Sequence, residues 1–196
     1  MSSLQVTEQS LCIDGVWRSA SDGSTREIRS PHDGSLVAIV AEATAEDSLA
    51  AISAARASFD SGVFASWSWT RRCELVARVA DLLERDADEI AHKESRDTGK
   101  RFVEAQYDVA DVISVFRYYA RLGLEVSDRQ VDVGDDRIQS RITHEPVGVC
   151  ALIGPWNYPL LQASWKVAPA LVAGCSFILK PSELTPTTAI HLTKII

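Results

Sequence analysis

The chain has 196 residues, 46% of them hydrophobic and 24% charged, with a formal net charge of −7. That balance is ordinary for a folded soluble protein, and the acidic excess argues against nucleic acid or an anionic membrane as partner. No basic cluster leads into an apolar run at the N-terminus, and no stretch approaches the roughly 20 apolar residues of a membrane helix, so the expectation is a cytoplasmic chain of one domain or one and a half.

Residues 11 to 40 read as short strands. Asp14-Gly15 lies between Leu11-Cys12-Ile13 and Val16-Trp17, a hairpin signal, and Asp33-Gly34 precedes the run Ser35 to Val40 in the same way. Thr44, with Asp47 three residues on, predicts a capped helix from Ala45 to Phe59 whose inner face carries Leu49, Ile52, Ala55 and Phe59. Phe64, Trp67 and Trp69 follow as an aromatic connector, read as core plugs. Thr70 is the expected cap of the next helix, with Leu75, Val76, Val79, Leu82 and Leu83 facing inward. Asp86 and Glu89 read as a second capping pair, for a short helix that stops at Gly99. A long amphipathic helix covers Arg101 to Leu124. Its buried stripe is Val103, Ala110, Ile113, Phe116 and Ala120, with Asp108 and Asp111 on the solvated face. After a polar stretch, Arg137 to His144 alternates as a half-exposed antiparallel strand, a projecting arm that could pair with another subunit.

The last fifty residues carry the chemistry. Val147 to Ile153 is apolar and β-branched, the habit of a parallel strand buried on both faces. Gly154-Pro155 ends it. Pro159 suits a first helical turn, Gly174 caps the far end, and Pro169 should kink the helix between them. Ser176 to Leu179 is a second apolar strand, which completes one βαβ unit. Ligands bind at the C-terminal ends of such strands. Two segments therefore face one crevice: Gly154-Pro155-Trp156-Asn157 and Lys180-Pro181-Ser182-Glu183. The Glu183 carboxylate could accept from both ribose hydroxyls and would repel a 2′-phosphate, which favours NAD over NADP. Asn157 offers a neutral amide donor that could hold an oxyanion. The glycine fingerprint GxGxxG is absent after the first strand. A generic α/β core, with Asn157 as a helix cap and Lys180 as a solvated strand end, explains the same residues.

At these residues the chain resembles the aldehyde dehydrogenase superfamily, and within it the betaine-aldehyde branch. Glu145 to Pro186 (EPVGVCALIGPWNYPLLQASWKVAPALVAGCSFILKPSELTP) is similar to that family's first cofactor-binding strand, helix and second strand. Ile13-Asp14-Gly15-x-Trp17, Ser30-Pro31, ERDADEIAHKESRDTGK and Tyr118-Tyr119-Ala120 match upstream, in order.

The resemblance implies NAD-dependent oxidation of an aldehyde to a carboxylate, through a catalytic cysteine and a glutamate that activates water. The implied fold class is α/β: a helical and hairpin lead-in (1–125), an oligomerisation arm (126–146) and the first βαβ unit of a Rossmann-like parallel sheet (147–196). Implied catalytic residues are Asn157, as oxyanion donor, and Lys166, as part of a charge relay; Lys166 reads equally as a snorkelling helix lysine. Implied cofactor contacts are Ile153, Gly154, Pro155, Trp156, Lys180, Ser182 and Glu183. A potassium ion is implied at the main chain of Ile28 and Arg29 with Asp97, oxygen ligands suited to a hard cation. Tyr158 and Trp165 would suit a quaternary ammonium, and homo-oligomers are the implied assembly.

The chain departs from the family where it stops, at Ile196. The glycine-rich turn for the pyrophosphate, the glutamate base and the Gln-x-Cys segment are expected beyond it, so this polypeptide alone is expected to be inactive. The four cysteines (Cys12, Cys73, Cys150, Cys175) form no CxxC and read as reduced thiols outside any nucleophile context. Cys175 replaces the family's usual asparagine and should behave as a small buried hydrophobe.

Overall fold

A computed structural model describes residues 7–196. The expectation that residues 1–6 begin no secretory signal lies outside the described residues.

Strands β2 (Leu11–Ile13) and β3 (Val16–Arg18) form the expected hairpin. Its two turn residues, Asp14 and Gly15, take φ of 55° and 71°. That left-handed pair matches the twist of the strands it joins. β4 (Thr25–Arg29) and β5 (Leu36–Ala41) pair antiparallel around the Asp33-Gly34 turn. A register shift lies between Ile28 and Arg29. β1 (Thr7–Gln9), unforeseen in the sequence, adds in parallel to β5 and makes the sheet three-stranded, order β1-β5-β4.

Helices α1 (Ala45–Asp60), α2 (Trp69–Arg85), α3 (Ala87–Thr98) and α4 (Phe102–Glu125) follow. Thr44 and Asp47 form the predicted capping box at α1. The βαβ unit is as expected: β8 (Val149–Ile153), α5 (Pro159–Ala173) and β9 (Ser176–Lys180), with β8 and β9 parallel. Pro159 opens α5 and Gly174, at φ 82°, closes it. α6 (Thr187–Ile195) packs against α3 and α5. One core runs through α2, α4 and α5. Phe116, Leu83, Val76, Val112 and Val167 have no exposed surface, and Leu160 almost none. Each such side chain contributes about 1.5–3 kcal/mol by leaving water.

Several expectations are corrected. Ser68, not Thr70, caps α2, because its hydroxyl accepts from the Arg71 amide. Asp86 and Glu89 do not cap α3: Asp86 binds Arg85 and His191, and Glu89 binds Lys93. Ala55 faces inward as expected, but Leu49 and Ile52 are 65% and 50% exposed, and Asp47 is buried in their place. Periodicity finds an apolar face but not what covers it. On α4, Val103 and Ala110 are exposed, whereas Val109 and Val112 complete the stripe. Asp108 is buried there and pairs with Lys100 rather than with water. Phe64 and Trp69 do pack on the core, but Trp67 serves as a platform for Arg71, 3.7 Å above its ring. As expected, α5 continues through Pro169 to Ala173. The carbonyl that proline leaves unpaired belongs to Trp165, which is exposed. β8 is not buried on both faces: Leu152 is inside, but Ile153 is 64% exposed and Val147, before the strand, is 87% exposed. Among the described residues only β9 pairs with β8.

The arm is a short hairpin, β6 (Arg129–Val131) with β7 (Ser140–Ile142). Ile138 and Ile142 are exposed.

Candidate cofactor and oxyanion site

The parallel pair ends where the two motif loops begin. The Gly154 amide donates to the Lys180 carbonyl at 3.0 Å, which fixes the loops side by side. Nothing stands within 4 Å of where a Cβ at Gly154 would lie, so a ligand can approach the backbone closely there. Trp156 and Tyr158 are exposed beside it. The Thr185 hydroxyl donates to the Trp156 carbonyl at 3.3 Å and ties the second loop to the first.

In that second loop the Lys180 ammonium lies 3.7 Å from the Glu183 carboxylate, and both side chains are exposed. Its own backbone amide, then Lys180, hold the Glu183 carboxyl below its ordinary range, so it is ionised and acceptor-only at neutral pH. Ser182 is buried and its hydroxyl accepts from the Leu184 amide at 3.2 Å, which shapes the turn.

Asn157 is exposed and lines a cleft of about 460 Å³ with Thr98, Lys100, Tyr107, Asp108 and Tyr158. Its amide has no protein partner among the described residues. Tyr158 occupies the N-cap of α5 in a left-handed conformation, φ 52° and ψ 49°. The Lys100 ammonium sits 4.6 Å from the centroid of its ring. Lys166 is elsewhere: its ammonium folds back on its own helix, donating to the Gln162 carbonyl at 2.9 Å.

Beneath the cleft lies a buried polar network. Lys100 pairs with Glu94 at 3.3 Å and with Asp108. Glu94 is fully buried and also accepts from the Thr188 hydroxyl at 3.0 Å. Burial pushes the Glu94 carboxyl up. Burial also opposes the Lys100 charge, yet the Asp108 and Glu94 carboxylates outweigh it and raise that pKa. Asp97 accepts from the Thr187 amide at 2.9 Å and hydroxyl at 2.7 Å through one oxygen, while the other, Oδ1, is buried without a partner. Burial lifts its carboxyl to about 7. The Ser30-Pro31 turn packs against Gly99, two residues after Asp97, which brings the end of β4 toward the end of α3. The Arg29 guanidinium points away, to Glu27 and the Gly34 carbonyl, so only its main chain is available.

The aldehyde dehydrogenase family model matches residues 17–196. The chain belongs to the aldehyde dehydrogenase family. Betaine aldehyde dehydrogenase of Bacillus subtilis is 45% identical over 187 residues, covering 95% of this chain and 38% of that protein. Aminoaldehyde dehydrogenase 2 of Solanum lycopersicum is 36% identical over 98% of this chain and 39% of its own length. The crystal structure of betaine aldehyde dehydrogenase from Staphylococcus aureus in complex with NAD+ superposes with a TM-score of 0.93 at 41% identity, over 95% of this chain and 37% of that one. The chain thus spans less than two-fifths of the length of these relatives.

Within this member of the family, the structure brings together Ile153, Gly154, Pro155, Trp156 and Asn157 with Lys180, Ser182 and Glu183 at one sheet edge. Ile28 and Arg29 end β4, and Asp97 lies in the last turn of α3, away from that edge. Sequence reasoning missed the Lys100–Glu94–Asp108 network and buried Arg72. The Arg72 guanidinium donates to the carbonyls of Val172, Ala65 and Trp67. The available signal was local: Lys100 follows the Gly99 stop, and Arg72 is the one charged residue in the inner stripe of α2.

Proposed function

We propose that this chain is the cofactor-side, N-terminal portion of an NAD-dependent aldehyde dehydrogenase acting on betaine aldehyde or a similar amino-aldehyde. The observation that carries the reading is the exposed Asn157 amide beside a paired Lys180–Glu183 at the C-terminal edge of a parallel βαβ unit. When bound, NAD supplies the hydride acceptor. The residues of this chain bind and orient. Glu183 accepts from the adenosine ribose hydroxyls and its ionised carboxylate disfavours a 2′-phosphate. Lys180 neutralises part of that charge, and Gly154 lets the backbone come close. Asn157 donates to the oxygen of the aldehyde as negative charge develops on it, a role worth about 3–4 kcal/mol in comparable sites. Trp165, an exposed aromatic face, suits a cationic substrate, whereas the Tyr158 ring already carries the Lys100 ammonium, 4.6 Å from its centroid. The nucleophile and the base are taken to lie in sequence beyond these residues. The bond from the Lys166 ammonium to the Gln162 carbonyl supports the helix-lysine reading of that residue.

The cation reading has its own support. The unpartnered buried Asp97 oxygen and the main-chain oxygens of Ile28 and Arg29 are hard donors of the kind potassium takes. Such an ion would hold Asp97 ionised and lock α3 to the sheet.

The test is the coding sequence after Ile196, expressed as one chain with these residues. NADH formation from betaine aldehyde, with a drop of about 100-fold in kcat for Asn157→Ala, supports the reading. A continuation without a Gln-x-Cys segment, or an unaffected Asn157→Ala, refutes it. A second reading, a non-catalytic partner of full-length subunits, is favoured by one observation: the exposed β6–β7 hairpin with Ile138 and Ile142 uncovered. Co-purification with a full-length homologue separates the two.

A further inference from the structure

We propose that Lys100 is the positioning residue for Asn157: its ammonium clamps the ring of Tyr158 and so holds the left-handed backbone that presents the Asn157 amide to the cleft. The proposal rests on the reading of Asn157 as the oxyanion donor.

Tyr158 is one of only two non-glycine residues with positive φ among the described residues, and the other, Asp14, sits in the β2–β3 turn where that geometry is expected. A bulky residue stays in this strained region only when its surroundings impose it. No side chain caps α5 at that position. The preceding residue is fixed on its other side, where Thr185 binds the Trp156 carbonyl. The Tyr158 carbonyl accepts from the Gln162 amide at 2.9 Å, the first turn of α5, and on the side-chain side the ring lies under the Lys100 cation, 4.6 Å from its centroid.

Lys100 is itself held on every side. Its ammonium pairs with Asp108 of α4 and with Glu94 of α3, and Glu94 is tied to Thr188 of α6. Its carbonyl accepts from the Ser95 hydroxyl at 2.7 Å, and its amide donates to the Thr98 hydroxyl at 3.3 Å. The left-handed Gly99 that precedes it is pressed against Pro31. A mobile surface lysine could not orient a neighbour; this one transmits the rigidity of three helices to a single ring. The competing account makes Lys100 only a counter-ion for buried Glu94, in which case the ring of Tyr158 is incidental.

Hydrogen exchange of the full chain, followed by mass spectrometry, separates the two. The reporter is the peptide spanning residues 154–162, and the β2–β3 hairpin peptide is the control for global opening. Lys100→Met and Tyr158→Leu should each speed exchange of the reporter by about ten-fold with the control unchanged, while Lys100→Arg, which keeps a cation over the ring, stays near the parent. Normal exchange in Tyr158→Leu overturns the proposal, because that variant removes the clamp without uncovering a charge. If Lys100→Met opens the control peptide as well, Tyr158→Leu and Lys100→Arg decide alone. Exchange requires neither cofactor nor turnover, so a negative result in the aldehyde assay and a negative result here are read independently.

Discussion

Asp97 offers the sharpest quantitative prediction. Its carboxyl has an ordinary value of 3.8 and is lifted to about 7 by burial, with one oxygen unpartnered. A raised carboxyl favours the folded state fully below the unfolded value, and that advantage is lost as pH rises through the folded one. Between pH 3.8 and about 7 the unfolded chain is ionised at this residue while the folded chain still holds the proton. At 1.36 kcal/mol per pH unit the interval amounts to about 4 kcal/mol. Asp97→Asn keeps the shape and the acceptor for Thr187 but cannot ionise. Urea unfolding of parent and variant at about pH 5 and about pH 8, in a choline buffer, isolates the residue from His191, whose lowered pKa acts in the opposite direction. The variant should gain about 3 kcal/mol on the parent between the two pH values. Replacing choline by potassium should close much of that gap for the parent and leave the variant unchanged, since a bound cation favours the ionised carboxylate. Parallel losses in both proteins, with or without potassium, would refute the assignment of the raised pKa to Asp97 and remove the support for a cation there.

Three further outcomes follow from the structure. Arg72→Leu strands three carbonyls that now accept from one buried guanidinium, and chemical denaturation should show a loss of about 2–3 kcal/mol that Arg72→Lys does not restore. Gly99→Ala places a Cβ in a φ of 73° and 2.7 Å from Pro31 Cγ, so its melting temperature should fall, by more than about 1 kcal/mol in stability terms. Glu183→Gln, at an exposed position, should leave the melting curve unchanged while lowering the preference for NAD over NADP in a binding titration.

How much of this was legible depends on the range of each interaction. The β2–β3 hairpin, the Thr44–Asp47 box and the two ends of α5 are set by neighbours in sequence, and the residues announced them. The juxtaposition of residues 154–157 with residues 180–183 was legible for the same reason, since each of the two loops directly follows an apolar strand. The face of α1 was misread because amphipathic spacing does not reveal which elements supply the cover. Asp108 was misread because its partner, Lys100, lies in the preceding turn and reaches back over it. The Glu94–Thr188 and Arg72–Val172 bonds join residues 94 and 100 positions apart, a pairing no local pattern encodes. Apolar β8 suggested a strand covered on both sides, but within these residues only one neighbour is present.

The central claim, that the βαβ edge is one half of an NAD site, is tested most directly by titrating the isotopically labelled chain with NAD and recording backbone amide shifts. With only one side of the crevice present, binding should be weak, in the millimolar range, with shifts confined to residues 154–157 and 180–183 and smaller for NADP. Shifts that map to another face, or micromolar affinity for NAD, would contradict the account.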